Sequence, residues 1–350
     1  MLFVFVVLFS CFFAMNIGAS GTAAAMGAAY GAGAVKKRTV AVAMVGIVAL
    51  CGALWGGGEV AETVSSGVVP ENIVTVPVAV LVMASASITL FTSNKMGIPL
   101  STSEVTVGSL IGIGLVHGDI FVWHVLGIML VWIILPVTAY WLARGLGKGI
   151  QRLEDHWLSK HMGKKMVRQI CILFLIFFGC YEAFAAGMNN VANAIGPLIA
   201  SGIVSLDHGL LLGAISMAIG SIALGGPVLE TNAKKITSLS LLQGSAVSFT
   251  GGTLVIVASC FGIPVPLTQA TTMSIMGIGR SQDPNGSIWK HPVVKRIILV
   301  WIISPLFALM ISYSLFYLFI LENPYPMMLF ILALFYLEVI RIKNGQQQLV

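Results

Sequence analysis

The chain has 350 residues, of which 57% are hydrophobic and 9% charged, and its mean hydropathy is +0.97. A water-soluble domain carries about 25% charged residues, so this composition excludes a soluble fold and demands a backbone satisfied internally in lipid. The formal charge of +6 lies in short junctions between apolar runs, which is the positive-inside pattern of a membrane protein and not a nucleic-acid surface.

No polar/apolar alternation of the barrel type is present, so the spans are helices. The first run covers residues 1–35. Its start, MLFVFVVLFSCFFAM, lacks the basic region of a signal peptide, and small residues carry it on to Val35. It reads as a retained first helix. Segments follow at 39–58, 73–94, 102–117 and 120–143, then at 167–204, 208–226, 240–260, 268–279 and 292–318. A last helix at about 326–341 brings the membrane segments to about 11. The one long hydrophilic stretch, RGLGKGIQRLEDHWLSKHMGKKM at 144–166, is expected to be a cytoplasmic linker, in part an amphipathic surface helix. Cys11, Cys51, Cys171, Cys180 and Cys260 all lie in apolar runs without CxxC spacing. None of the six histidines has metal-ligand spacing. No metal, cofactor or disulfide is expected.

The two halves of the chain repeat. GASGTAAAMG (18–27) pairs with GMNNVANAIG (187–196), GGEVAET (57–63) with GGPVLET (225–231), and GIPLSTSEVTVGSLIGIG (97–114) with GIPVPLTQATTMSIMGIG (262–279). The offsets stay between 165 and 169 residues and the order is kept. With the basic junctions placed in the cytoplasm, each half makes an odd number of crossings. The second half must then start from the opposite face. This gives inverted repeats over 1–143 and 167–318, plus an extra C-terminal helix and tail over 319–350, with the N-terminus outside and the C-terminus inside. The expected fold class is an all-α polytopic membrane protein with broken helices and re-entrant helical hairpins.

The repeats also locate a candidate site. Asparagine in hydrocarbon is costly unless satisfied, and glycine weakens a helix interior by roughly 1 kcal/mol. Runs 1–35 and 167–204 are therefore expected to break at their Gly/Asn/Ser patches. A break would expose amide groups and the positive end of a half-helix dipole. The Gly-Ile-Pro stretches read as hairpin tips that start new helices. Amides and hydroxyls at such helix starts make an anion site. The candidate ligands are Ser20, Gly21, Asn189, Asn190 and Asn193 from the patches, with Ser101, Thr102, Ser103, Thr268 and Gln269 from the tips. Blander readings compete with this one. Ser101 and Glu104 fit a capping box, the small-residue runs fit helix packing, and the asparagines can bond neighbouring helices. An intramembrane enzyme would need a nucleophile–base pair or metal ligands at depth, and none is apparent.

These motifs resemble the inorganic phosphate transporter (PiT) family. Its twice-repeated GANDVANA-type motif appears as GMNNVANA at 187–194 and in degenerate form as GASGTAAA at 18–25, and its hairpin tips appear as GIPLSTSE and GIPVPLTQ. AMNIGASG, EAFAAGMNNVANA and VLETNAKKIT are similar to the sulfate permease (CysP-type) branch. The resemblance implies secondary transport across the cytoplasmic membrane, and a homodimer. Where phosphate members carry aspartate, which helps to bind sodium, this chain has Gly21 and Asn190. The second tip has Pro266 and Leu267 in place of Ser and Thr.

The chemistry of these replacements favours sulfate. Phosphate near neutrality keeps a proton that a carboxylate can accept, whereas sulfate only accepts hydrogen bonds and is better met by an amide. Thiosulfate and other tetrahedral oxyanions share that chemistry. Import of a dianion against 100 mV costs roughly 4.6 kcal/mol, so a cation must accompany it. With the aspartates absent, the expectation is a proton rather than sodium, carried on Glu104 first and then on Glu62, Glu182 or Glu230. Glu230 can instead pair with Lys234. The alternative function is sodium-coupled phosphate symport.

Overall fold

The computed structural model of the protein describes residues 2–23, 25–95, 100–161, 163, 165–227, 229, 239–283 and 292–334. Every regular element among them is helical. Among the described residues eight helices are long and apolar enough to cross a membrane, fewer than the eleven segments counted from hydropathy.

In chain order, α1 (Leu2–Ile17) runs into a π-helical stretch, Gly18–Thr22, and a short α2 (Gly27–Gly31) follows. Next come α3 (Arg38–Gly56), α4 (Gly58–Ser66), α5 (Val76–Lys95), α6 (Thr102–His117) and α7 (Val122–Leu153). After a π turn at Glu154–Leu158 and a single-turn α8 (Ser159–His161), α9 runs from Lys165 to Ala200. The chain continues through α10 (Leu206–Leu224), α11 (Leu241–Cys260), α12 (Leu267–Gln282), α13 (Pro292–Phe319) and α14 (Tyr325–Leu334).

The spacing of the sequence repeat carries into the elements. α3 and α10 have 19 residues each, α5 and α11 have 20, and α6 and α12 have 16. Pro136 inside α7 and Pro305 inside α13 stand at the same offset. The 16-residue helices are about 24 Å long, short of the ~30 Å hydrocarbon core. Each pairs with the preceding 20-residue helix as a hairpin.

Three expectations are corrected. The run 167–204 does not break: α9 continues through Gly187 and Gly196. The physical reason is packing. A Cβ on Gly187 would collide with the Ala49 carbonyl of α3, and one on Gly52 of α3 would collide with the Phe184 carbonyl of α9. These glycines let two backbones touch. The same crossing occurs where Gly18 meets Met217 of α10 and Gly220 meets Met15. In the first run the helical path loosens at Gly18 but continues to Ala23, so departure comes later than expected. The linker also differs, because α7 extends through Leu153 and the first part of 144–166 prolongs a membrane helix. Glu154, just beyond, accepts hydrogen bonds from Ser240 Oγ and from Gln243 Nε2 (3.3 Å) at the start of α11.

α9 lies at the centre, against α3, α4 and α11, while α12 packs on α7 and α6 on α13. The outer surface exposes Trp55, Trp123, Ile133, Phe177 and Leu299, as a lipid-facing shell requires.

Candidate functional site

The two hairpin tips meet. Ser103 Oγ of α6 donates to the Val265 carbonyl at 3.2 Å, and Thr268 Oγ1 of α12 donates to the Leu100 carbonyl at 2.9 Å. Ser103 and Thr268 are equivalent in the repeat, as are Leu100 and Val265, so the two bonds are reciprocal. The starts of α6 and α12 are thereby brought together. First-turn amides have no intrahelical acceptor, so two positive helix ends face one region. This convergence supplies what the expected break in α9 does not.

Local sequence shapes each tip. Ser101 is the N-cap of α6 and accepts from Glu104 N at 3.2 Å. Half of the expected capping box therefore forms. The other half does not, because the Glu104 carboxylate turns away and accepts from Gln269 Nε2 at 2.7 Å. At the second tip Gly262 has φ +66, a left-handed turn that suits glycine, and Pro266 precedes α12. Trp132 of α7 holds this tip by donating to the Pro264 carbonyl at 2.9 Å.

α9 supplies the third side. Asn189 and Asn193 share a face at i, i+4. Asn189 Nδ2 donates to Ile263 O at 3.0 Å and to Ser259 Oγ at 2.9 Å, and its Oδ1 accepts from Val265 N at 2.9 Å. Asn193 Nδ2 donates to Thr102 Oγ1 and Ser103 Oγ, both at 3.2 Å. Asn190 is turned about 100° from Asn189, and its Oδ1 accepts from Thr102 Oγ1 at 3.2 Å. A Cβ on Gly21 would lie 2.7 Å from Asn190 Nδ2, so glycine at position 21 gives the amide its room. Ser20 closes the ring from the π-helical stretch by donating to Leu100 O at 3.3 Å.

All ten predicted ligands, Ser20, Gly21, Ser101, Thr102, Ser103, Asn189, Asn190, Asn193, Thr268 and Gln269, thus fall in one buried neighbourhood. Its polar atoms bond chiefly to one another. Glu104 Oε2, Asn193 Oδ1 and Thr22 Oγ1 are buried without a partner. Among the described residues no charged group acts on Glu104.

The carboxylates separate. Glu104 belongs to the ring. Glu182 lies on α9 seven residues before Asn189, and is buried between α11 and α12, where Thr271 Oγ1 donates to its Oε1. Glu62 does not join the ring. It is exposed and lines a cavity of about 560 Å3 with Thr63, Ser66, His124 and the outer side of the second tip at Gly262 and Ile263. Glu230 lies outside the described residues.

Sequence reasoning missed Asn16, Asn94 and Ser259. Asn94 Nδ2 donates to the Asn16 carbonyl at 2.9 Å. Asn94 and Ser259 hold equivalent places three residues before the two Gly-Ile-Pro tips. Extending that alignment upstream would have found them.

Fold and site together define a multi-pass all-helical membrane protein with an internal polar site assembled from two hairpin tips and a central helix. The chain belongs to the phosphate transporter family, whose sequence model matches residues 17–312. It is 44% identical to the sulfate permease CysP of Bacillus subtilis over 94% of this chain and 91% of that protein. It is 26% identical to a putative phosphate permease of Pyrococcus furiosus, over 83% of this chain and 90% of the relative. A solved structure described as the sodium-dependent phosphate transporter superposes with a TM-score of 0.79 at 23% identity, covering 91% of this chain and 99% of its own. That last likeness concerns the fold alone. Family and relatives make this chain an anion transporter of the membrane.

Proposed function

We propose that the chain imports inorganic sulfate across the cytoplasmic membrane as a secondary active transporter, with protons as the coupling ion. The 44% identity to a sulfate permease supports the substrate. So does the donor chemistry, in which Gly21 and the Asn190 amide stand where phosphate-type motifs carry aspartate. Two inverted halves, with the N-terminus outside and the C-terminus inside, would place the touching tips near mid-membrane. Thiosulfate and related oxyanions present the same acceptor geometry. A homodimer is the assembly proposed.

One observation carries the coupling. Glu104 is buried in the anion ring, its Oε1 held by the Gln269 amide and its Oε2 unpartnered, with no cation acting on it among the described residues. A carboxylate there repels a dianion, whereas a carboxylic acid donates its O–H from Oε2 to a sulfate oxygen. Anion and proton then bind together, and each is a poor ligand without the other. The hydroxyls of Thr102, Ser103 and Thr268 exchange bonds within the ring for bonds to the anion, and the first-turn amides of α6 and α12 add theirs.

The test is uptake of radiolabelled sulfate by purified protein in liposomes, with pH and sodium gradients imposed independently. An inward proton gradient should drive accumulation without sodium. Uptake that requires sodium and is suppressed by equimolar phosphate would establish the sodium–phosphate reading in its place.

A further inference from the structure

A second carboxylate shares the first one's predicament. Glu182 is 1% exposed, and its Oε1 accepts from the Thr271 hydroxyl, which also lies 3.1 Å from the Leu267 carbonyl. Its Oε2 is buried without a partner, and so is Ser248 Oγ beside it. From α11 the groups facing Glu182 are Ser248 and Gly251, whose Cα side lies against Oε1.

Among the described residues, the charged groups on the surrounding elements sit elsewhere. α11 has none. α12 has only Arg280 in its last turn, α3 only Arg38 at its start, and α4 has Glu59 and Glu62, both exposed. α10 has Asp207 and His208 in its first turn, and the titratable group on α2 is Tyr30. Around Glu104, α5 contributes Lys95, exposed and lying over the Phe91 ring, while α13 carries Lys295 and Arg296 in its first turn and α6 itself His117 in its last.

Both carboxylates grip the same helix. Gln269, the partner of Glu104, and Thr271, the partner of Glu182, are two residues apart on α12 and so about 200° apart around it. One residue before Gln269, the start of the same helix offers Thr268 to the anion. A lone carboxylate in either place is a buried charge with at most one neutral partner, which is strongly unfavourable. A proton on each removes that penalty and frees an O–H for the unpartnered oxygens, Ser248 Oγ beside Glu182 and the anion beside Glu104.

Resting on the proton-coupled reading above, we infer that Glu182 is a second proton-binding site and that two protons enter with each dianion, making transport electroneutral. The charges balance: two protons on two carboxylates offset the two charges of sulfate, and the same protons leave when the anion is released inside.

The decisive measurement is the balance point in liposomes at zero membrane potential, the sulfate gradient that a fixed pH gradient just holds. Each coupled proton contributes about tenfold per pH unit. Across one pH unit the wild-type protein should hold about 100-fold, and its flux should not respond to potassium–valinomycin potentials of either sign. Glu182→Gln should lower the balance to about tenfold and make the flux potential-sensitive. The balance does not depend on rate, so a slow variant still reports it. Thr271→Val, which removes the hydroxyl partner and keeps the carboxylate, should shift the pH midpoint of sulfate exchange. A wild-type balance of tenfold overturns the inference. So does an E182Q balance that stays at 100-fold, or a T271V profile superimposable on wild type. Proton-driven sulfate uptake at tenfold sinks only this inference, whereas uptake indifferent to the proton gradient sinks the functional reading beneath it.

Discussion

Asn189→Ala perturbs the joint between the central helix and the second hairpin tip. Asn189 makes three bonds there, to Ser259 Oγ, Ile263 O and Val265 N. Alanine leaves the buried Val265 N–H and Ile263 carbonyl without these partners, at about 1–3 kcal/mol each. Ser259 can rotate its hydroxyl, so its share is smaller. The tip also positions Thr268 and Gln269, and a loss of about 3 kcal/mol from its ordered state lowers the ratio of ordered to disordered tip roughly 100-fold, and the competent population by up to that factor. The expected outcome is a comparable rise in the apparent KM for sulfate, together with a lower melting temperature in detergent. Asn189→Asp separates the terms, because it keeps the acceptor for Val265 N while turning the donor into an acceptor against Ile263 O. A buried carboxylate facing a carbonyl oxygen should leave it no more stable than alanine. Asn189→Ala protein with wild-type KM and unchanged melting would refute the account of how the tip is held.

Other substitutions probe the remaining joints. Glu104→Gln should remove the rise of sulfate uptake with falling external pH, read as initial rate against pH; full retention moves the proton elsewhere. Asn190→Asp keeps the acceptor for Thr102 but replaces the amide donor with a carboxylate, and should weaken sulfate binding at least tenfold, about 1.4 kcal/mol; isothermal titration with unchanged affinity counts against the donor argument. Gly21→Ala should displace the Asn190 amide and weaken sulfate to a similar degree, and wild-type competition curves would show that the contact is slack. Gly187→Val drives a side chain into the Ala49 carbonyl and should cost at least ~3 kcal/mol as overpacking, visible as a large loss of folded yield by size-exclusion chromatography.

Much of this protein is written locally. Hydropathy fixes the membrane class because a run of ~20 apolar residues has few other stable fates. Gly-Ile-Pro marks the second tip at Gly262–Pro264 because proline cannot continue a preceding helix, while the first Gly-Ile-Pro lies outside the described residues. The repeat offset then pairs Ser103 with Thr268 and Glu104 with Gln269, so much of the buried ring was legible from motifs, though Asn16, Asn94 and Ser259 were not. The role of the glycines was not. Whether Gly187 breaks a helix or lets another backbone approach depends on what lies opposite, and only the fold puts Ala49 of α3 there. The same holds for the carboxylates. Glu62, Glu104 and Glu182 look alike as sequence, but tertiary packing leaves the first in a solvent-facing cavity and buries the other two on opposite sides of α12. Sequence determines which groups are available because composition and backbone preference act within a few residues. Tertiary structure decides which of them meet, because hydrogen bonds of about 3 Å span separations of some 70 to 170 residues here.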